Sequence, residues 1–471
     1  MQAVSCRHTI GNLISYLKAS GHGCKSGITE AFEVQSVTTH HLHGNVPALF
    51  VPLTGVKFDG HSYINEFLRM CPQNVALCGE YCVSSVLPEF RSRTIIVKNP
   101  LEAFQAMASG YRTSLKGEFL GITGSSGKTT FKHLLKCILQ EDKPTYATPH
   151  NLNNHIGVPL TVLGIPRGSV YHVIEMGMNH AGEIARLCDI CQPNVGIVTN
   201  IGPAHMQYFK SLEDIAAAKS ELFAYVALRS GVNLGLATYS KYFSSQIQKS
   251  VRWIAEEWVL DGFNLFDGRL RFHREEKSLL ELGIHTELIS LAVAAAEHYH
   301  IPAQKVWLGL VSFEKWNRNL RGHVFQAAGC WIFLDCYNSN PQSFQYSLKR
   351  AEYFVNKFKP TSFVGWYGDM GELGVSSTAF HERILKEILQ SHINCPKRKW
   401  IFFGEMFYSL RTRIDRQSSD EFRFYQSAAE AEAILAAEAE TPKTFFHVKA
   451  SRFMKLEPPF LKKFELSAFQ E

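Results

Sequence analysis

The stretch Gly121-Ile-Thr-Gly-Ser-Ser-Gly-Lys-Thr-Thr130 holds the residue types needed to grip a polyphosphate. Backbone N–H groups of Gly124, Ser125, Ser126, Gly127 and Thr130 can cradle phosphate oxygens at the start of a helix, Lys128 can reach the β- and γ-phosphates, and the Thr129 hydroxyl can ligate Mg²⁺. The spacing is a variant, because a strict phosphate loop asks for glycine at position 122 and this chain has Ile122 there. Read as local structure alone, the stretch is a Gly-Ser turn ahead of a lysine-bearing helix.

Three further positions could complete a metal-nucleotide site. Glu175 closes the apolar strand Val173-Ile-Glu-Met-Gly177, a placement that would aim its carboxylate at Mg²⁺ beside the phosphates. His205 ends Val198-Thr-Asn-Ile-Gly-Pro-Ala-His205, and Lys219 sits between Ala218 and Ser220 on a helix expected from Leu212 to Phe223. Taken singly, these are a surface carboxylate, a satisfied histidine and a solvated lysine; in combination with the loop they read as one site. Cys188 and Cys191 form a C-x-x-C, but with no second pair nearby they read as buried or surface thiols rather than a zinc or redox pair.

The elements that must position these residues alternate strand with helix. Glu118–Thr123 reads as a buried strand feeding the Gly-rich turn, with Pro100 opening a helix from Leu101 to Leu115 before it. Val170–Glu175 and Val195–Thr199 read as strands flanking a helix from Gly182 to Cys191. Such alternation predicts a mostly parallel sheet whose ligands sit at the carboxyl ends of the strands. Phe266-Asp-Gly268 reads as a hairpin turn in a less regular stretch, Tyr239 to Leu280. The pattern also holds before residue 98, with Ala48–Leu53 and Thr94–Val97, and in the last third, with Cys330–Asp335, Ser343–Lys357 and Lys399–Phe403.

Length and composition set the class. At roughly 150 residues per domain, the 471 residues predict about three domains. With 45% hydrophobic and 20% charged residues, disorder and fibrous repeats are excluded. A net charge of +6 is too small to call for a nucleic-acid partner. Apolar runs such as Leu291–Ala296 fall far short of the ~20 residues that span a bilayer, and no signal pattern opens the chain. Eleven scattered cysteines suit a reducing compartment. A cytoplasmic monomer without a membrane span is expected.

With these residues in view, the sequence is similar to the Mur ligases, ATP-dependent amide-forming enzymes of peptidoglycan precursor synthesis. Thr123-Gly-Ser-Ser-Gly-Lys-Thr-Thr130 is the family's form of the phosphate loop, which accounts for its spacing. Thr148-Pro-His-Asn-Leu-Asn-Asn-His-Ile-Gly-Val-Pro159 resembles its substrate loop, Glu175–Ile184 its metal-binding strand end, and Asn200–His205 with Ile215–Glu221 the segment bearing a histidine and a carbamylated lysine. Asp335-Cys-Tyr-Asn-Ser-Asn-Pro341, Gly368-Asp-Met-Gly-Glu-Leu-Gly374 with His381, and Val448–Glu457 look most like the member that takes UDP-N-acetylmuramoyl-tripeptide and D-alanyl-D-alanine as substrates. Siblings such as MurE or folylpolyglutamate synthase, a phosphotransferase or ATPase with a phosphate loop, and a nucleotide-binding protein that has lost catalysis are the rival readings.

The resemblance implies an α/β, three-domain Mur ligase architecture. A UDP-substrate domain would span 1–98, a central parallel-sheet domain with the phosphate loop 99–316, and a Rossmann-like C-terminal α/β domain 317–471. It further implies ATP and two Mg²⁺ ions, the first held by Thr129 and Glu175 and the second by Glu175, His205 and carbamylated Lys219. ATP would also meet His285, Asp335 and Arg321, and the peptide substrates Asn151, Asn153, Asn154, Tyr337, Asn338 and Asn340. The chain departs from the family pattern at three places. His40-His41-Leu42 stands where Asp-Ser-Arg is usual; Gly283-Ile-His-Thr-Glu-Leu-Ile289 keeps His285 but loses both adenine-framing asparagines; and Arg321-Gly-His323 leaves open whether Arg321 or His323 meets the γ-phosphate.

Overall fold

The computed structural model describes residues 3–28, 31–56, 58–255, 262–266, 269–273, 280–281, 283–314, 321–414, 420–438 and 441–466. Among them, three six-stranded sheets follow one another along the chain. The first contains β1 (Ala3–Thr9), β2 (Cys24–Ser26), β3 (Glu33–Thr38), β4 (Ala48–Phe50), β5 (Val75–Gly79) and β6 (Thr94–Val97) in the order β1-β3-β4-β5-β6-β2. Its inner strands run parallel, and β1 and β2 pair antiparallel at the edges. Every residue of β4 and β5 is buried, which is why they read as continuous apolar runs rather than alternations.

The helix Pro100–Ser114 leads into the second sheet. Asn99 caps it by accepting the N–H groups of Leu101 and Glu102, and Pro100 occupies a first-turn position where no donor is missed. The second sheet contains β7 (Glu118–Thr123), β8 (Thr145–Ala147), β9 (Tyr171–Glu175), β10 (Val195–Val198), β11 (Val232–Leu236) and β12 (Arg252–Ile254). All pairings are parallel, in the order β12-β11-β10-β7-β9-β8. The chain leaves β7 for one side and later returns to the other, so the strand order reverses beside β7 and a crevice opens at the carboxyl ends of β7, β9 and β10.

The turn residues Asp267 and Gly268 lie outside the described residues. Their flanking strands, β13 (Gly262–Phe266) and β14 (Arg269–His273), pair antiparallel with Phe266 opposite Arg269, as the hairpin reading requires. The expected boundary near residue 316 also lies outside the described residues.

The third sheet contains β15 (Arg321–Ala327), β16 (Cys330–Asp335), β17 (Ser362–Gly368), β18 (Lys397–Phe403), β19 (Glu421–Tyr425) and β20 (Thr444–Lys449). The order is β15-β16-β20-β17-β18-β19, parallel except for the antiparallel β15–β16 pair. Successive side chains point to opposite faces, and the core divides accordingly. Phe333 and Phe445 pack into one apolar cluster, Ile332 and Phe446 into another on the far side.

The first two sheets are joined differently. One apolar cluster contains Leu13 and Leu77 beside the first sheet, Phe104 and Met107 of the Pro100–Ser114 helix, and Phe119, Leu187 and Leu222 around the second. The first and second sheets therefore share a core, whereas the third has clusters of its own.

Candidate functional site

The phosphate loop leaves β7 at Thr123 and enters the helix Lys128–Gln140. Gly124 has φ 154°, and a Cβ there would lie 1.9 Å from Thr199 Oγ1, so only glycine lets the loop pass so close to the chain after β10. That chain holds the loop in shape. Ser126 N–H donates to Asn200 Oδ1 at 2.9 Å, Thr199 Oγ1 donates to the Ser126 carbonyl at 2.9 Å, and Ser125 Oγ donates to the Gly202 carbonyl at 2.9 Å. Lys128 Nζ folds back to the Gly124 carbonyl at 2.7 Å.

Glu175, at the end of β9, is the electrostatic centre. It is 1% exposed, and its carboxylate accepts from Thr129 Oγ1 at 3.1 Å and from Asn153 Nδ2 at 2.8 Å. Lys132 Nζ stands 3.1 Å from it and also donates to the His150 carbonyl at 2.7 Å. Burial by itself would raise the carboxyl's pKa, but Lys132, Arg321, Lys128 and the Asn153 hydrogen bond hold it at about 2. Glu175 is thus a carboxylate at neutral pH, a hard oxygen donor suited to Mg²⁺. Lys132 went unnoticed in the sequence; its place four residues after Lys128, on the same helix face, is the signal that could have found it.

A cleft of about 440 Å³ opens over this centre. From the expected set, Ser125 to Thr130, Asn151, Asn153, Asn154, Glu175, His205, His285, Arg321, Asp335, Tyr337, Asn338 and Asn340 line it. Gly124 and Lys219 do not. Lys219 lies in the core beside the cleft, 1% exposed on the helix Leu212–Ala227, and burial together with the charge of Lys128 pushes its pKa well below the usual lysine value.

Some side chains in the cleft are also committed to the local fold. Asn340 Oδ1 accepts the Ser343 N–H at 2.8 Å and caps the helix Pro341–Phe358, and Asn154 Oδ1 accepts the Gly157 N–H at 2.8 Å. Asp335 pairs with Lys449 at 3.0 Å, and Lys449 Nζ donates to the Asn338 carbonyl at 2.7 Å. Lys449 is a second residue that sequence reasoning quoted in a motif without giving it a role.

Backbone geometry separates Arg321 from His323. Residues two apart on a strand share a face, but β15 slips register against β16 between Arg321 and His323. Arg321 therefore lines the cleft, its guanidinium 3.5 Å over the Tyr337 ring, while His323 stacks edge-on with Phe325. His285 lies 3.6 Å from the Tyr346 ring in a stacked arrangement, and burial near Lys349 and Arg350 lowers its pKa to about 4. This imidazole–phenol stack lines the cleft beside the segment that lacks both asparagines.

Two features lie away from the cleft. His41 stacks on Tyr63 at 4.0 Å with His40 stacked behind it at 5.2 Å, so the segment replacing Asp-Ser-Arg is an aromatic ledge. Asp59, His61 and Cys82 offer ligand atoms within 4.8 Å of one another, a group that could hold a metal ion. Both His61 nitrogens are already engaged, Nδ1 with Asp59 at 2.7 Å and Nε2 by the Gly79 N–H at 3.1 Å, and a thiol is a soft donor ill matched to Mg²⁺. Cys188 and Cys191 are buried, and burial pushes the Cys191 thiol up to about 12, so neither offers a ready thiolate.

Comparison with known proteins bears on the family and the fold. Residues 122–255 match the Mur ligase middle domain. The UDP-N-acetylmuramoyl-tripeptide–D-alanyl-D-alanine ligase of Treponema pallidum is 31% identical over 354 residues, covering 71% of this chain and 74% of that protein. The ligase of the same name from Buchnera aphidicola is 30% identical over 424 residues, 87% of this chain and 89% of its own. In fold, the crystal structure of MurF from Acinetobacter baumannii superposes with a TM-score of 0.76 at 23% identity, covering 98% of this chain and 99% of that one. The chain belongs to the Mur ligase family and closely matches its MurF members.

Proposed function

We propose that this chain is an ATP-dependent ligase that joins D-alanyl-D-alanine to UDP-N-acetylmuramoyl-tripeptide, forming the pentapeptide precursor of peptidoglycan with release of ADP and phosphate. The observation that carries the reading is a convergence: the phosphate loop and ionised Glu175 line one cleft together with Arg321, Asp335 and Tyr337, and Lys219 is buried beside it.

Amide formation in water is uphill, so a carboxylate oxygen must first become a leaving group. The terminal carboxylate of the tripeptide attacks the γ-phosphorus of ATP, ADP departs, and an acyl phosphate results. The free amine of the dipeptide, having lost its ammonium proton, attacks the acyl carbon. The tetrahedral intermediate collapses to the amide and inorganic phosphate. Several anions converge in the first step, so positioning and charge neutralisation dominate. Lys128 and Arg321 supply fixed positive charge, and Asn153 ties the substrate loop to Glu175.

Bound Mg²⁺ supplies further neutralisation of the phosphate oxygens. Thr129 and Glu175 fit one ion as hard oxygen donors, and Glu175, His205 and carbamylated Lys219 would hold a second. The burial of Lys219 suits carbamylation, since a neutral amine adds to CO₂ with loss of a proton, and the resulting anion would face Lys128. Residues 1–98 would hold the UDP-sugar, 99–316 ATP and the ions, and 317–471 the dipeptide. The protein would act as a monomer in the cytoplasm; no helix among the described residues is long and apolar enough to cross a membrane.

The test is ADP release from the purified protein with ATP, D-alanyl-D-alanine and UDP-muramoyl-tripeptides carrying lysine or meso-diaminopimelate. The ligase reading requires both the nucleotide-peptide and the dipeptide. Turnover with a single acceptor would overturn it in favour of a phosphotransferase.

A further inference from the structure

The turn Gly368–Gly374, after β17, is held from several directions. The Asp369 carboxylate accepts the N–H groups of Met406 at 3.0 Å and Phe407 at 3.1 Å. His381 Nε2 accepts the Met370 N–H at 2.9 Å, and Ser451 Oγ accepts the Gly371 N–H at 2.9 Å. The turn delivers Glu372, whose φ is 62°. A non-glycine residue in the left-handed region is strained and persists where its surroundings over-determine it.

What the turn presents is a carboxylate across the cleft's edge. Glu372 Oε2 lies 2.6 Å from His205 Nδ1, close enough for an ion pair although not aligned as a hydrogen bond. The backbones meet as well: Gln207 N–H donates to the Glu372 carbonyl at 3.2 Å. His205 has φ 57°, so two residues in uncommon conformations face one another here, one beside the second sheet and one beside the third. Glu372 is half exposed, which places the pair at the rim where the two parts meet.

A histidine that gives one ring nitrogen to a metal is set in orientation by the group facing its other nitrogen, commonly a carboxylate. Nδ1 of His205 faces Glu372, which leaves Nε2 as the nitrogen free to serve the cleft. We propose that Glu372, carried on the turn after β17, is the positioning residue for His205 and holds its Nε2 towards the cleft. This rests on the ligase reading, in which His205 serves the metal.

The test is Mn²⁺ binding to the full chain in the presence of the non-hydrolysable nucleotide AMP-PNP, followed by electron paramagnetic resonance without turnover. The variants are Glu372→Ala, Glu372→Gln and His205→Ala. Glu, Gln and Ala carry a similar left-handed cost at position 372, so the comparison isolates the side-chain head group. The expected result is a loss of Mn²⁺ affinity of roughly 10-fold in Glu372→Ala, with most of it recovered in Glu372→Gln, whose amide oxygen can still face Nδ1. In the ligation assay Glu372→Ala should lower kcat more than it raises KM for ATP. If His205→Ala loses Mn²⁺ affinity and Glu372→Ala does not, the positioning role is overturned while the ligase reading stands. If His205→Ala also binds Mn²⁺ as the native protein does, the metal role of His205 falls, and the positioning role with it.

Discussion

The second sheet meets its two neighbours through surfaces of opposite chemistry. Towards the first sheet the contact is a continuous apolar core, running from Leu13 through Phe104 and Met107 to Leu187, with a buried polar link between His8 Nε2 and the Leu163 carbonyl at 2.8 Å. Towards the third sheet it is a set of separate polar contacts. Ser126 Oγ meets Gln342 at 3.2 Å, Arg350 donates to the Leu280 carbonyl at 2.7 Å, Tyr353 Oη donates to Glu281 at 3.1 Å, and Glu372 meets His205. An apolar core cannot open without exposing its area to water, whereas water can replace polar partners one by one. The first junction is therefore a fixed frame, and the second is where motion can occur. The cleft lies at the second.

Substitutions should separate the two junctions. Phe104→Ala at the shared core should cost about 3–5 kcal/mol in urea unfolding while leaving kcat per folded molecule near the native value. A large fall in kcat at unchanged stability would show that the first junction also moves. Lys219→Ala, on the cleft side, should do the opposite: a fall in kcat of roughly 100- to 1000-fold, nucleotide binding largely intact, and partial rescue by small carboxylates. Normal turnover would remove Lys219 from the site.

Next in size is the pH dependence of the cleft's centre. Because Glu175's pKa is depressed in the folded protein from 4.5 to about 2, its contribution to stability is present above about pH 4.5 and lost as pH falls towards 2. Unfolding free energies of the native protein and Glu175→Gln should thus converge across that window; parallel curves would show that Lys132 and Lys128 do not hold the carboxylate as the geometry indicates. The smallest effect is expected for Glu281→Gln, an exposed partner of Lys357 and Tyr353 at the polar junction. It should change stability by less than about 1 kcal/mol, measured by urea unfolding, and lose its effect in high salt.

Much of this was legible in the sequence, for a local reason. β6, β7 and β16 fall on the residues expected, because buried parallel strands are continuous apolar runs bounded by turn residues. The phosphate loop was legible because its chemistry is confined to one strand-turn-helix. Lys132 was legible only in part, since its spacing from Lys128 puts it on the loop-facing side of the helix but does not say that it reaches a carboxylate 43 residues away along the chain.

The sequence by itself determined the alternation of strand and helix, the phosphate loop and the set of residues able to serve it, because periodicity and turn chemistry act over a few residues. Tertiary structure alone decided how they combine. A one-residue bulge turned Arg321 rather than His323 into the cleft, burial made Lys219 a weak base, and packing brought Glu372 to His205 from 167 positions further along the chain. Register, desolvation and contact between distant segments depend on which surfaces meet, and no local pattern encodes that.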